Sequence, residues 1–217
     1  VERIAAIATA PRVDTQNPAL DAVARRAITQ DPNYDGGRYY GNPGPADGLG
    51  VARRIGHVQY LSKQSMENRF GRRAADRMLA GFEDPTAEAF DYKDVASYLD
   101  YNAEKFTERF DANSYLYLLR AMDEYDLAAG FTSAAEALAG YDGSVLVLSY
   151  TGDWQFTLEQ GLELANAFEA AGATVDFERI VDEYGHDAFL ARPETVIEPL
   201  ADFLRGERSR GDPSEVR

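Results

Sequence analysis

Ser144-Val-Leu-Val-Leu-Ser149-Tyr-Thr-Gly-Asp153-Trp, the stretch from Thr157 to Gly172, Thr174-Val-Asp-Phe-Glu-Arg-Ile-Val181 and Tyr184-Gly-His186-Asp187-Ala-Phe-Leu190 together decide how this chain folds. The first is a short apolar run that ends in an acidic turn. Thr157-Leu-Glu-Gln160 has the spacing of a capping box, and Leu158, Leu162, Ala165 and Phe168 recur at helical intervals up to Gly172, which is placed as a C-cap. Val175 and Phe177 mark a second strand, followed by the turn that carries histidine. Strand, helix, strand at these lengths implies a parallel crossover, with Asp153 and His186 both just beyond strand ends, where open parallel sheets place their chemistry. After them, Pro193 to Arg205 reads as a helix packed through Ile197, Leu200, Phe203 and Leu204.

Upstream, Ile4-Ala-Ala-Ile-Ala-Thr9 lacks alternation and reads as a strand covered on both faces. Asn17-Pro18 supplies a cap and a first helical residue for a helix through Leu20, Val23, Ala24, Ala27 and Ile28, which Asp31-Pro32 ends. Residues 33–50 are loop by composition. A helical pattern runs from Val51 to about Ala80 with a break at Ser62-Lys-Gln-Ser65, residues 84–94 form a polar connection, and two aromatic-rich helices follow, the second capped by Asn113. The expected organisation is α/β: a core strand at 1–11, a mostly helical cap or lid at 12–140, the remaining parallel strands and flanking helices at 141–205, and a frayed tail at 206–217.

Composition narrows the function. The 217 residues hold no cysteine, which excludes disulfides and thiol chemistry, and only two histidines, His57 and His186, so a multi-histidine metal site is not expected. A net charge of −15 opposes nucleic acid and anionic membrane surfaces. Lysine stands only at Lys63, Lys93 and Lys105, while Asp and Glu number 37, a balance that suggests adaptation to high salt. No apolar stretch approaches the roughly 20 residues of a membrane helix, no signal-peptide pattern opens the chain, and a cytoplasmic location is expected.

A hydroxyl nucleophile needs a base near neutrality, and that base needs a carboxylate to hold its tautomer. His186 and Asp153 suit those two roles, in the order of the Ser…Asp…His template. The serine of that template is missing: no Gly-x-Ser-x-Gly occurs in the chain, and Gly140-Tyr-Asp-Gly143-Ser144 precedes a strand instead of following one. His57, between apolar neighbours in a helical stretch, reads as a core histidine, and Arg53 and Arg54 as a solvated face.

The ordered set Asp31-Pro32, Gly48-Leu-Gly-Val-Ala-Arg53-Arg-Ile-Gly-His57-Val-Gln-Tyr60-Leu-Ser62, Arg69-Phe-Gly-Arg72, Lys105-Phe-Thr-Glu-Arg-Phe-Asp-Ala-Asn-Ser-Tyr-Leu116, Ala121-Met-Asp123 and Tyr184-Gly-His186-Asp187-Ala-Phe-Leu190 resembles the downstream portion of the homoserine O-acetyltransferases, α/β-hydrolase-fold enzymes of methionine biosynthesis. The resemblance implies the C-terminal part of an α/β-hydrolase fold and a ping-pong acetyl transfer from acetyl-CoA to L-homoserine. Acetyl-CoA is then a co-substrate, and no cofactor is permanently bound. Catalytic roles fall to Asp153 and His186. Asp187 would hold the amine of homoserine, Arg53 its carboxylate, and Tyr60 would line the pocket. A homodimer through the helical cap is expected. The chain is expected to begin just after the family's nucleophile and oxyanion-hole donors, and to be inactive alone. Succinyl-CoA as donor, serine as acceptor, plain hydrolysis, or a non-catalytic dimerisation module are the alternatives.

Overall fold

A continuous apolar run can be buried on both faces only if helices cover it from both sides. Ser144–Tyr150 (β2) does this: every residue from Val145 to Tyr150 is buried. In the computed structural model, which describes residues 1–75 and 89–206, β2 is the middle of three parallel strands, with Arg3–Ile7 (β1) on one side and Thr174–Ile180 (β3) on the other. The registers pair Ala5 with Leu146 and Val147 with Phe177. Leu158–Ala171 (α7) covers one sheet face, where Val145 and Val147 meet Leu164, Ala165 and Phe168. Glu194–Arg205 (α9), which follows the one-turn helix Ala188–Ala191 (α8), covers the other, where Leu146 and Leu148 meet Phe203. The two-residue period of the strand thus sends odd and even positions into two separate cores, each buried Val or Leu contributing about 1.5–3 kcal/mol.

Contacts divide the chain into two compact units: Val1–Val13, Tyr60–Ser62 and Tyr125–Arg217 in one, Asp14–Gln59 and Lys63–Glu124 in the other. The sheet unit therefore takes residues 125–140, which the sequence pattern groups with the cap. Leu127 and Leu138, the latter at the end of the short helix Ala134–Leu138 (α6), pack against the α7 core. Thr157 and Gln160 make the expected reciprocal capping box, and Gly172 the expected left-handed cap.

The helical unit contains Gln16–Gln30 (α1), most of Ala46–Tyr60 (α2), Lys63–Arg69 (α3), Asp94–Thr107 (α4) and Ala112–Asp123 (α5). Its core is Ala24, Ile28, Tyr39, Leu49, Ala52, Phe106, Ala112 and Leu119.

Several local expectations shift. Asn17 does not cap α1: the cap position is Thr15, and the Oδ1 of Asp14 before it accepts from the N–H groups of Gln16 and Asn17 at 3.0 and 3.4 Å. Asp111, not Asn113, caps α5, accepting from the Ser114 N–H at 2.7 Å. The stretch 33–50 is not all loop, because α2 begins at Ala46. Its Gly48 belongs there for packing: a Cβ would lie 2.4 Å from the Ala27 carbonyl oxygen. The break between α2 and α3 is confined to Leu61 and Ser62.

Strand β1 is only half covered, with Arg3 and Ala5 exposed. On α9, Val196, Leu200 and Phe203 face the sheet, while Ile197 and Leu204 are 63% and 56% exposed. The expected helix over 76–80, the polar connection over 84–88 and the tail from 207 lie outside the described residues.

Candidate active site

The carboxyl ends of β2 and β3 each lead into a tight turn, and the two turns meet. Thr151 donates its hydroxyl to the Asp182 carbonyl at 3.2 Å and accepts from the Asp182 N–H at 3.1 Å. Asp153, in the first turn, has a fully buried side chain. Its Oδ1 accepts from the N–H groups of Gln155 and Phe156, each at 2.9 Å, which sets the carboxylate's orientation. Its Oδ2 lies 2.8 Å from His186 Nδ1. A carboxylate held by backbone donors can only accept here, so a neutral imidazole in this pair carries its proton on Nδ1 and leaves Nε2 as an acceptor, the arrangement a general base requires. The ring is enclosed by Phe156 and Phe189, edge-on at 5.2 and 5.6 Å between centroids, and by Tyr60 at 6.2 Å. Its side chain remains 14% exposed, so one edge stays accessible.

The His186 turn is itself anchored. Buried Asp182 accepts from the Tyr184 N–H at 2.7 Å and from Arg192 Nη1 at 2.8 Å. Gly185 adopts φ +116°, and a Cβ there would fall 2.5 Å from the Ser62 nitrogen. That closeness reflects how Tyr60–Ser62 is laced to this turn: the Ser62 N–H donates to the Tyr184 carbonyl at 2.9 Å, the Asp187 N–H to the Tyr60 carbonyl at 3.3 Å, and Trp154 Nε1–H to the Leu61 carbonyl at 2.9 Å. Ser62 also donates its hydroxyl to the Glu183 carbonyl.

Four of the five residues singled out from sequence, Asp153, His186, Asp187 and Tyr60, therefore share one turn cluster of the sheet unit. Arg53 belongs to the helical unit, where its guanidinium carbon stacks 4.6 Å from the centre of the Phe106 ring. Its neighbour Arg54 is committed to buried Asp100 at 2.7 Å. Sequence reasoning missed Asp182, Gly185, Trp154, Phe156 and Phe189. An acid at a strand end and a glycine before a histidine are visible in the sequence, but nothing local separates them from ordinary turn residues.

A parallel sheet delivering an Asp and a His from adjacent strand ends into one hydrogen bond is the C-terminal part of an α/β-hydrolase fold. The solved homoserine O-acetyltransferase of Bacillus anthracis superposes with a TM-score of 0.81 at 22% identity, over 98% of this chain and 55% of that one. The acetyl esterase MekB superposes at 0.71 and 19% identity, over 95% and 54%. No protein-family model matches the sequence.

The chain is a homologue of the homoserine O-acetyltransferases. It is 61% identical over 208 residues to the one from Haloarcula marismortui, covering 94% of this chain and 52% of that protein. It is 41% identical over 198 residues to the one from Deferribacter desulfuricans, covering 91% and 51%. The chain thus spans about half the length of these relatives.

Proposed function

We propose that this chain is the acid–base half of an enzyme that moves an acetyl group from acetyl-CoA to the hydroxyl of L-homoserine, working in the cytoplasm. The observation that carries the reading is the 2.8 Å hydrogen bond between His186 Nδ1 and the buried Asp153 carboxylate, in a chain 61% identical to a protein named for that reaction.

In the first step a serine, supplied by the half of the enzyme that this chain does not match, gives its hydroxyl proton to His186 Nε2 as its oxygen attacks the thioester carbonyl. The C–S bond breaks, and the CoA sulfur leaves with that proton. In the second step homoserine gives its hydroxyl proton to Nε2 and its oxygen attacks the acetyl-serine carbonyl. The serine oxygen leaves and takes the proton back, so His186 ends as it began. Asp153 stabilises the imidazolium in both steps. The Asp187 carboxylate holds the substrate's ammonium, Arg53 its carboxylate, and Tyr60 lines the pocket; one anion and one bidentate cation match the two charges of an amino acid. The apolar shell of Phe156 and Phe189 excludes water, which would otherwise take the acetyl group.

Initial-rate assays of the whole protein test this. Parallel double-reciprocal lines with acetyl-CoA and L-homoserine are expected, with activity abolished in His186→Ala. Intersecting lines would remove the two-step scheme. Faster turnover with succinyl-CoA or with serine would reassign the donor or the acceptor, and acetate release unaffected by homoserine would make the protein an esterase.

A further inference from the structure

Tyr60–Ser62 closes α2 and leads into α3, yet it packs with the sheet unit, while Gln59 and Lys63 on either side belong to the helical unit. Leu61 and Ser62 are buried. The partners of this segment within the sheet unit explain its place there.

The carbonyls at the C-terminal end of a helix have no partners inside it and must find donors elsewhere. Those at the end of α2 find them on two different turns. The Leu61 carbonyl accepts from Trp154 Nε1–H at 2.9 Å, and Trp154 directly follows Asp153. The Tyr60 carbonyl accepts from the N–H of Asp187, next to His186, at 3.3 Å. Ser62 adds two bonds to the histidine turn, its N–H to the Tyr184 carbonyl at 2.9 Å and its hydroxyl to the Glu183 carbonyl. The backbones lie so close that a Cβ at Gly185 would fall 2.6 Å from the Tyr60 carbonyl oxygen. One short segment thus grips both turns that carry the Asp–His pair. A helix end needs no such division of its partners, since water or a single turn satisfies it equally well.

The sheet by itself does not reach so far. Strand pairing runs to Tyr150 and Ile180, and Thr151 with Asp182 extends it by one step. Asp153 and His186 lie beyond, each on its own turn. Their 2.8 Å hydrogen bond tolerates little relative movement of the two turns, and a misplacement of about 1 Å costs a reaction about 10² in rate. Consecutive residues anchored to the two turns fix the separation that the sheet leaves open.

We propose that Tyr60–Ser62 is a strap that sets the distance between the Asp153 and His186 turns, with Trp154 and Ser62 as positioning residues for the proton transfers of both half-reactions. This rests on the acetyl-transfer reading above, in which both residues act through the His186–Asp153 pair.

The test uses the whole protein and Trp154→Phe, which keeps an aromatic ring and removes the donor. His186 serves both steps, so rapid-quench measurement of acetyl-enzyme formation from acetyl-CoA, and of its discharge by L-homoserine, should show both rate constants lowered by a similar factor, about ten- to a hundredfold. The amount of acetyl-enzyme formed should stay the same. Ser62→Ala should lower both about fivefold, with Ser62→Thr, which keeps the hydroxyl, near wild type; this pair serves if Trp154→Phe does not fold. Less acetyl-enzyme at unchanged rate constants would mark a role in stability alone and overturn the strap. A fall confined to one half-reaction would mark a substrate contact and overturn it too. Proton NMR separates this failure from that of the acetyl-transfer reading. The proton between His186 Nδ1 and Asp153 Oδ2 should give a far-downfield resonance, lost in Asp153→Asn, that exchanges with water faster in Trp154→Phe. Faster exchange keeps the strap even if the wild type transfers no acetyl group. A resonance unaltered in both Trp154→Phe and Ser62→Ala removes it.

Discussion

In the proposed reaction His186 and Asp153 are the residues on which the chemistry turns, and their hydrogen bond makes two substitutions informative in the whole protein. Asp153→Asn keeps the size of the side chain but presents an amide donor where Nδ1–H needs an acceptor, so the imidazole is driven toward the wrong tautomer; kcat should fall by about 10⁴ in steady-state assays, with little change in the KM for homoserine. Asp187→Asn should do the reverse, raising the KM for homoserine at least tenfold while the rate of acetyl-enzyme formation stays near wild type. Gly185 is constrained twice, by φ +116° and by the 2.5 Å approach that a Cβ would make to the Ser62 nitrogen. Gly185→Ala should therefore cost about 2–3 kcal/mol, measured as a lowered unfolding midpoint in denaturant. Residue types at this scale were legible in the sequence where chemistry is rare: an Asp and a His after consecutive strands have few other uses in that order. Tyr60 was placed by resemblance alone, since its neighbourhood depends on backbone hydrogen bonds between positions more than 120 residues apart in the chain.

Elements follow the same logic of local signal and distant constraint. The capping box of α7 and its glycine cap were readable because both ends of that helix carry their own instructions. The start of α2 was not, because Gly48 and Gly50 look like loop residues until α1 is set beside them. The Asp31 carboxylate accepts the Gly48 N–H at 2.8 Å, and a Cβ at Gly48 would press on the Ala27 carbonyl. Gly48→Ala should destabilise the helical unit by about 2 kcal/mol, despite the better helix propensity of alanine; a melt that rises instead would show that α1 and α2 can separate at little cost. The face of α9 was misread for a related reason. Helical spacing offered Ile197 and Leu204 as well as Leu200 and Phe203, and only the position of the sheet selects among them.

At the scale of the molecule, charge dominates. With 37 acids against 22 bases, self-repulsion should be relieved by salt, and the thermal midpoint is expected to rise between 0.1 and about 3 M KCl; a flat or falling midpoint would remove the halophilic reading, which the haloarchaeal relatives support. One buried carboxyl adds a pH dependence. Burial, and then its hydrogen bond to Asp123, push the pKa of Asp21 up from 3.8 to about 7, with Arg25 pulling the other way. The unfolded chain releases this proton from pH 3.8 upward while the folded chain keeps it to about 7, so the stabilisation from this group is complete below 3.8 and is lost as pH rises through 7. At fixed KCl, Asp21→Asn should raise the melting midpoint at pH 8 and change it less at pH 5; equal changes at the two values would rule out the retained proton. The apolar surface of α5, where Tyr117, Leu118 and Met122 are 71%, 55% and 39% exposed, gives the homodimer expectation its test: Leu118→Glu should shift light-scattering mass toward the monomer, and a mass unchanged by it would remove α5 as the interface.

What the sequence determined by itself was whatever is written locally: a parallel strand–helix–strand unit from its two periods, an aspartate and a histidine at strand ends from their order, and a strongly acidic balance of charge from composition. The tertiary structure decided which of those residues meet. It joined Asp153 to His186 across 2.8 Å, tied Tyr60–Ser62 to the histidine turn, made Asp182 and Gly185 necessary, and set the two units' limits where contacts, not composition, change. The physical reason is that propensity, capping and periodicity act over a few residues, while the hydrogen bonds and close approaches that build this site link residues far apart in the chain and exist only once the strands have fixed their register.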